Sequence, residues 1–255
     1  MDFICRDLAS YISKKLSNPV ETQIDISWQE RDQLLDKGQI TLCWICGLPY
    51  VRKVDQMPSP IELLAAPVMQ GERYQNRPIY FSDVVVHAKS PFENLADLRG
   101  ASWAYNEPGS QSGYNVTRYA LAMRGETSGF FGRLVESGAH QTSLQMILKG
   151  EVDGSAIDST VLEMELLNNP SIQSQIRIID IFGPSPIPPW VVSKKAPHEL
   201  RRKLRKLFCQ MDQDPDGNAL LARARMIRFA QVNDDDYDPI REMALRADCV
   251  RLGSN

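Results

Sequence analysis

The chain has 255 residues, of which 43% are hydrophobic and 24% charged, and its formal net charge is −3. This composition is typical of a soluble globular protein, excludes a disordered chain and gives no broad attraction to nucleic acid or anionic membrane. No apolar run approaches the ~18 residues of a membrane-spanning helix, so no direct membrane insertion is expected.

The length fits one large domain or two lobes of roughly 100–150 residues each. The N-terminal stretch MDFICRDLASYISKKL lacks the features of a signal peptide, because Asp2 and Asp7 interrupt it and it has no continuous apolar core. From these residues alone the chain is expected to stay in the cytoplasm.

The five cysteines are odd in number and thinly spread, which is unlike a disulfide framework. Cys43 and Cys46 form C-W-I-C, a spacing found in redox and zinc sites. The motif lies in the apolar run ITLCWICGL, which favours a buried strand, and no second CxxC supplies further zinc ligands. We expect no metal and no cofactor.

Hydrophobic periodicity predicts alternating helices and strands in the first third of the chain. The predicted elements are a helix over 3–16, a strand over 20–27, a helix over 29–37, and strands over 40–46, 63–68 and 83–87. This alternation is typical of a parallel sheet covered by helices.

The rest of the chain continues in a similar pattern. We predict helices over 95–99, 114–123, 130–136, 142–148, 160–168, 198–212, 218–224 and 237–247, and strands over 102–105, 154–157, 176–181 and 190–193. The segment GPSPIPPW is too rich in proline for regular structure and is expected to be a connector.

The most informative segment is the glycine-rich turn over 106–114, between the strand SWAY and the next helix. Such a turn forms an anion site, because the first N–H groups of the helix are unpaired and its dipole favours negative charge. Ser110 and Ser112 add hydroxyl donors, and Gly113 permits close backbone approach. Simple N-capping by serine is the alternative. With Gln111 at the centre of G-S-Q-S-G, the run is neither a G-x-S-x-G elbow nor a Walker A loop.

The segment YFSDVVVHAKSPFENLADLRGASWAYNEPGSQSGYNV resembles the phosphate, phosphite and phosphonate substrate-binding proteins of ABC importers. Further matches follow the family order: GQITLCWICGLPYV upstream, then SGAHQTSL, GEVDGSAIDS and GPSPIPPW. Each motif is weak alone, but five in the right order, over about residues 12–212, make the resemblance specific.

The resemblance implies an α/β, two-lobe type II periplasmic-binding-protein fold with the ligand in a cleft between the lobes. Lobe 1 would comprise 1–82 plus 184–255, and lobe 2 would be the inserted segment 83–183. The hinges would lie near Tyr80–Asp83 and Gly183–Pro189. The ligand would be a small phosphorus oxyanion or phosphonate, the partners would be ABC importer membrane subunits, and the location would be periplasmic or in the cell envelope.

The resemblance also assigns roles to residues. Ser110, Gln111 and Ser112 align with the oxyanion-binding turn, where hydroxyls and backbone N–H groups would hold ligand oxygens. His140 aligns with a ligand-contacting histidine and would donate to an anionic oxygen, whereas a lone histidine is more often a surface or core residue.

Five further positions are candidates with open alternatives. Asp158 follows the strand GSAI and could cap the next helix, accept the proton of a monoprotonated oxyanion, or pair with an amine on the ligand. Tyr80 and Trp28 align with aromatic positions of the cleft and could equally be core residues. Tyr50 and Trp190 are weaker candidates for the cleft wall.

The chain departs from the family pattern in two places. Family members usually begin with a β-strand before the first helix, and its absence should leave a gap in the first sheet or a substitute. The prolines of IPPW stand where some phosphonate binders carry an acid for an aminoalkyl group, which disfavours an aminophosphonate ligand.

Two other classes of function remain open from the sequence. The missing signal peptide favours a cytoplasmic ligand-sensing module of the same fold, although no helix-turn-helix or basic patch indicates nucleic-acid binding. An enzyme is less favoured, because no paired carboxylates, metal ligands or nucleophile–base pair stand out and no catalytic residue is assigned.

Overall fold

The structure is a computed structural model, and it describes residues 2–24 and 26–253. The helices are α1 (Asp2–Leu16), α2 (Trp28–Asp36), α3 (Gly47–Val54), α4 (Val116–Ala122), α5 (His140–Leu148), α6 (Ser159–Asn168), α7 (His198–Cys209), α8 (Pro215–Arg223) and α9 (Asp238–Ala247). The strands are β1 (Leu42–Trp44), β2 (Ile61–Met69), β3 (Ile79–His87), β4 (Ser102–Tyr105), β5 (Arg133–Glu136), β6 (Gly154–Asp158), β7 (Ile176–Pro186), β8 (Trp190–Ser193) and β9 (Met226–Ala230).

The chain forms two compact units, each with its own sheet. The first unit contains the described residues up to Ile45, then Tyr50–Ile79 and Ile187–Asp236. The second contains Cys46–Pro49, Tyr80–Pro186 and the described residues from Tyr237 onward. The expected lobe boundaries stay a prediction, but in this division the C-terminal helix α9 belongs to the second unit.

The first unit has a four-stranded sheet in the order β1-β8-β2-β9. Every neighbouring pair in it is antiparallel, including β1 with β8 and β2 with both β8 and β9. The expectation of a parallel sheet in the first third is therefore wrong for this unit. The sheet is antiparallel because the partners of β1 and β2 are β8 and β9, which come from the last third of the chain.

The second unit has a five-stranded mixed sheet in the order β5-β4-β6-β3-β7. β4 is parallel to both β5 and β6, whereas β3 and β6 are antiparallel. Helices cover both faces, with one core around Trp103, Phe131 and Leu121 and another around Leu144 and Ile157. Trp103 and Phe131 stack with ring centroids 4.5 Å apart.

Most predicted elements are confirmed within a few residues, and the differences have physical causes. Residues 133–136 form β5 rather than a helix, because they pair with β4 while the aromatics before them are buried. The connector GPSPIPPW begins inside β7, which runs to Pro186 as an edge strand, where proline is tolerated. Helix α3 and strand β9 were not predicted, since elements of eight and five residues are too short for a clear periodicity, and α3 also contains a glycine and a proline.

The strand predicted over 20–27 does not form. Val20–Ile24 has no helix or strand assignment and is largely exposed, while Asp25 lies outside the described residues. Its alternating apolar pattern is a strand signal that lacks a neighbouring strand to pair with.

Candidate functional site

The topology of the second sheet brings polar groups to one edge. The parallel strands β4 and β6 end at the same edge, so Asn106 follows one and Asp158 terminates the other. β3 runs the opposite way and begins at that edge, with Ser82 paired to Asp158. Tyr80, near the start of β3, therefore belongs to the same edge.

Ser112 and His140 form the most direct contact of the site. Ser112 Oγ lies 2.9 Å from His140 Nε2, and both side chains are buried. His140 opens helix α5, whose preceding residue, Ala139, provides no side-chain cap. The first N–H groups of α5 consequently keep donor capacity beside the pair.

The His140 imidazole is neutral over most of the pH range. Burial lowers the pKa of His140 from 6.5 to about 4. Its Nδ1 is buried and has no hydrogen-bond partner among the described residues. The ring therefore carries one unused polar atom in addition to the nitrogen that contacts Ser112.

Asp158 caps the next helix, as the alternative from sequence proposed. Its Oδ1 accepts hydrogen bonds from Thr160 N at 2.8 Å and Thr160 Oγ1 at 2.7 Å. Burial nevertheless raises the pKa of Asp158 from 3.8 to about 6; the Thr160 hydrogen bonds oppose this shift, and Asp83 adds to it. The backbone N–H of Val161 is a further donor to this carboxylate, which supports its capping role.

Tyr80 is fully buried, and its Oη has no hydrogen-bond partner among the described residues. Burial raises the pKa of Tyr80 well above its ordinary value, and the negative charges of Cys46 and Asp158 would raise it further. The Ser112 hydroxyl lowers the pKa by a smaller amount. These influences place Tyr80, Ser112, Asp158 and Cys46 in one electrostatic neighbourhood. At neutral pH Tyr80 is a protonated donor.

Ser110 and Gln111 are engaged within the turn itself. Ser110 Oγ accepts the N–H of Gly113 at 3.0 Å, which is the capping arrangement. Gln111 Oε1 accepts from Asn115 at 2.8 Å, and its Nε2 lies 3.2 Å from Met243 Sδ. Their predicted contact with a ligand stays a prediction, and both now have a structural role in holding the turn.

Trp28 belongs to the first unit, where it is the half-buried first residue of α2. Tyr50 is buried there and donates to Asp234 Oδ1 at 2.6 Å. Trp190 is a buried residue of β8 that stacks with Trp44. The six other candidates, Tyr80, Ser110, Gln111, Ser112, His140 and Asp158, all lie in the second unit.

Two neighbours of the site escaped the sequence analysis. Cys46 Sγ accepts the N–H of Gln111 at 3.2 Å, and burial raises the pKa of its thiol. Asn106 has a buried Oδ1 with no partner in the described part of the chain. Cys46 ends the predicted strand over 40–46 and Asn106 follows the one over 102–105, and this position at a strand's end is the signal that would have found them.

Gly113 is required for this packing rather than for an unusual backbone angle. A Cβ at this position would lie 2.1 Å from Asn106 Oδ1 and 3.2 Å from His140 Cε1. Glycine therefore lets the turn lie close to the side chains of Asn106, which follows β4, and His140, which begins α5.

Within residues 2–24 and 26–253, no group of three or more His, Cys, Asp or Glu side chains is arranged to hold a metal ion. Cys43 and Cys46 are free thiols. No helix in the same ranges has the length and apolar character needed to cross a membrane.

Comparison with known proteins identifies the family of this chain. Residues 4–237 match the model of the family described as "ABC transporter, phosphonate, periplasmic substrate-binding protein". The chain belongs to this family. The match spans both units and includes every candidate residue named above.

Individual relatives are distant in sequence. The "Phosphonates-binding periplasmic protein" of Escherichia coli (strain K12) is 23% identical over 223 residues, covering 86% of this chain and 64% of the relative. The chain therefore spans less than two thirds of that relative's length.

Solved structures resemble this chain more closely in fold than in sequence. A binding protein component of an ABC phosphonate transporter from Pseudomonas aeruginosa superposes with a TM-score of 0.85 at 21% identity, covering 96% of this chain and 81% of that chain. PhnD1 from Prochlorococcus marinus (MIT 9301), in complex with methylphosphonate, gives 0.81 at 19% identity, covering 98% and 93%. These likenesses establish the type II periplasmic-binding-protein fold.

Proposed function

We propose that this chain is a solute-binding protein for a small, singly protonated phosphorus oxyanion, such as phosphite or a simple phosphonate. The Ser112–His140 pair carries the proposal, because two buried polar groups 2.9 Å apart stand beside an uncapped helix N-terminus. Family membership supports the same class of ligand.

The donors of the site are neutral. Ser112, Tyr80 and His140 are uncharged at neutral pH, and none of the candidate side chains is a lysine or arginine. The negative charge of the ligand would be offset by backbone N–H groups at the start of α5 and by these hydroxyl and imidazole donors. Such a site suits a monoanion better than a dianion.

Asp158 supplies the selectivity in this proposal. With a pKa of about 6 it is mostly ionised at neutral pH, so it repels an anion unless a proton lies between them. A phosphite or phosphonate monoanion carries that proton on one oxygen, whereas sulfate carries none at neutral pH. Discrimination against sulfate follows from one acceptor among several donors.

Catalysis is less well supported than binding. A serine hydroxyl beside an imidazole is the arrangement of a nucleophile and its base, but a working base is oriented by a third group. The Nδ1 of His140 has no such partner among the described residues, and a pKa of about 4 makes the ring a weak base. These two features support a binding role.

The test is thermal unfolding of the purified chain against phosphate, phosphite, methylphosphonate, aminoethylphosphonate, sulfate and selenate. We expect a saturable rise in the unfolding midpoint with phosphite or methylphosphonate and none with sulfate. Ser112→Leu should abolish the rise, while Ser174→Leu, at an exposed serine of the same unit, should keep it. A flat response to all six anions would refute the proposed ligand class.

Asp158→Asn sharpens the selectivity argument. An amide offers a donor where the carboxylate offers only an acceptor, so sulfate should now raise the midpoint. If the variant still rejects sulfate while binding phosphite, Asp158 does not supply the discrimination.

We further propose that the ligand is delivered to the membrane subunits of an ABC importer in the periplasm, as the family description implies. Ligand-stimulated ATP hydrolysis by the reconstituted importer encoded with this chain would test it. Equal ATP hydrolysis with and without the liganded protein would count against delivery.

A further inference from the structure

Helix α5 begins without a capping side chain, although the backbone before it is suited to one. Ala139, the residue that precedes the helix, is extended at φ −156° and ψ 152°. In this conformation the side-chain oxygen of a serine, threonine, asparagine or aspartate can accept a hydrogen bond from the first turn of the helix. The methyl group of Ala139 offers no such oxygen. The first intrahelical bond runs from Ser143 N to Ala139 O at 3.0 Å, so the N–H groups of residues 140–142 precede the helix's own hydrogen bonds.

Two serine hydroxyls meet beside this helix start. Ser137 Oγ, in the loop before α5, lies 2.6 Å from Ser143 Oγ, which is one turn into the helix. Ser137 Oγ also lies 3.1 Å from both Tyr105 O and Ala139 O. The two carbonyls can only accept, and a hydroxyl has one proton to donate. Ser137 therefore donates to a carbonyl, and Ser143 donates to Ser137.

The hydroxyl pair joins the end of β4 to α5. Ser137 N donates to Tyr105 O at 2.8 Å, and Gly138 N donates to Asn106 O at 2.8 Å, so the loop is held against the end of β4. Through its contact with the buried Ser143 the same loop is held to α5. These bonds fix the loop at both ends and use none of the N–H groups of residues 140–142.

The position of α5 matters because His140 is its first residue. His140 Nε2 lies 2.9 Å from Ser112 Oγ, and Ser112 belongs to the turn that follows β4. The serine pair connects the same two elements, so it sets the separation across which His140 and Ser112 meet. His140 is buried, and its Nδ1 has no hydrogen-bond partner among the described residues. A binding site of this kind has to hold its groups within about 0.5 Å of the binding geometry.

We propose that Ser137 and Ser143 are positioning residues that brace the start of α5 in place of a capping side chain, which leaves the N–H groups of residues 140–142 open to the ligand. The inference rests on the proposed oxyanion-binding function and adds that the ligand itself caps α5. A capping oxygen at position 139 would occupy the same donors. Stability and affinity are therefore opposed at this position, because a cap stabilises the free protein and the ligand must displace it.

Ala139→Thr and Ala139→Val test the open helix start, since the two new side chains have the same shape and differ in one hydroxyl. Without ligand, Ala139→Thr should unfold about 2–4 °C above Ala139→Val, because threonine can cap the helix and valine cannot. Its affinity for methylphosphonate, measured by calorimetry, should be about fivefold lower, because the ligand has to displace the hydroxyl. Equal affinities of the two variants would overturn the proposal.

Ser137→Ala and Ser143→Ala test the brace. Each should weaken methylphosphonate binding about two- to tenfold, and the double variant should be only slightly weaker than either, because all three lose the same hydrogen bond. Ser137→Thr keeps the hydroxyl and should retain the affinity of the wild-type chain. The matched control is Ser155→Ala, which removes a buried hydroxyl of the same unit that has no partner among the described residues. Unchanged affinity in both alanine variants, or an equal loss in the control, would show that the pair does not position the site.

The outcomes separate this inference from the proposed function. If the wild-type chain binds methylphosphonate and the variants at positions 137, 139 and 143 bind it equally well, the site stands and the positioning roles are wrong. If the wild-type chain binds none of the six anions, the proposed function fails, and the ligand-free comparison at position 139 still decides whether the helix start is open. A higher midpoint for Ala139→Thr than for Ala139→Val would support the open start, and equal midpoints would overturn it.

Discussion

The two units of this protein differ in the groups that lie beside their sheets. In the second unit, buried polar side chains that contact one another, such as Ser112 and His140, lie where β4 and β6 end and β3 begins. In the first unit, the outermost strand β1 borders a cavity of about 530 Å³. Buried polar side chains in mutual contact mark one unit, and a cavity beside its outermost strand marks the other.

The contrast teaches that an unpartnered group has different meanings in different surroundings. In the proposed function, the Nδ1 of His140 and the Oη of Tyr80, which have no partner among the described residues, would donate to an oxyanion. The Nε1 of Trp190 also has no partner among the described residues, and Trp190 lines the cavity of the first unit together with apolar side chains such as Leu8 and Ile12.

The largest expected effect comes from breaking the core of the second unit. Trp103→Ala removes a fully buried ring stacked on Phe131, and should cost about 3–5 kcal/mol of unfolding free energy. Trp44→Ala, in the half-buried edge strand beside the cavity, should cost about 2 kcal/mol or less, because fewer close contacts are lost. Urea unfolding of both variants measures the difference, and equal losses would show that the half-buried ring of Trp44 stabilises the fold as much as the fully buried ring of Trp103.

The next effect concerns pH, and two groups oppose each other. The pKa of Asp158 rises from 3.8 to about 6, so its contribution to stability is full below about 3.8 and is lost as pH rises through about 6. The pKa of His140 falls from 6.5 to about 4, so its contribution is full above about 6.5 and is lost as pH falls through about 4. Each is worth about 3 kcal/mol, and between about pH 4 and 6 they nearly cancel.

Single variants should separate these two contributions. In Asp158→Asn only the contribution of His140 remains, so the unfolding free energy should rise with pH between about 4 and 6.5. In His140→Gln only the contribution of Asp158 remains, so the unfolding free energy should fall as pH rises between about 3.8 and 6. Unfolding free energies measured across this window check both slopes, and two flat profiles would show that neither pKa is shifted.

A smaller effect should follow from crowding the turn. Gly113→Ala places a Cβ 2.1 Å from Asn106 Oδ1, so the side chains around it must move, at about 1–3 kcal/mol. His140 is displaced as well, and methylphosphonate should no longer raise the unfolding midpoint. Gly217→Ala, whose Cβ would meet Met211 O at 2.3 Å in the first unit, is the matched control. It should lose similar stability and keep the ligand response.

Sequence patterns located most of the second unit and less of the first. The strand SWAY and the helix after Asp158 were found because periodicity, glycine turns and caps are local signals. The antiparallel partners of β1 and β2 come from the last third of the chain, and no local pattern encodes such pairing. The strand signal over 20–27 failed for the same reason, since a strand forms only when a neighbour supplies hydrogen bonds.

The site shows the same limit at the level of single atoms. Alignment with the family grouped Ser112, His140 and Asp158, but it could not show that Ser110 caps the turn or that Gln111 is held by Asn115. Those roles depend on which donors the fold has already used. Cys46 was weighed only as part of a CxxC motif, and its contact with the turn depends on residues 65 positions apart in the chain.

The smallest expected effect tests that contact. Cys46 Sγ accepts the Gln111 N–H at 3.2 Å, and Cys46→Ser shortens the side chain, so the hydrogen bond should lengthen and about 0.5–1.5 kcal/mol should be lost. The amide of Gln111 then becomes available to a ligand, so affinity for methylphosphonate should change although the thiol itself need not touch the anion. Cys249→Ser, at an exposed thiol of the same unit, is the control and should alter neither quantity. Because calorimetry separates ligand affinity from unfolding free energy, a variant that loses stability with unchanged affinity would assign Cys46 to packing alone, whereas a change in both would show that it positions the turn for the ligand.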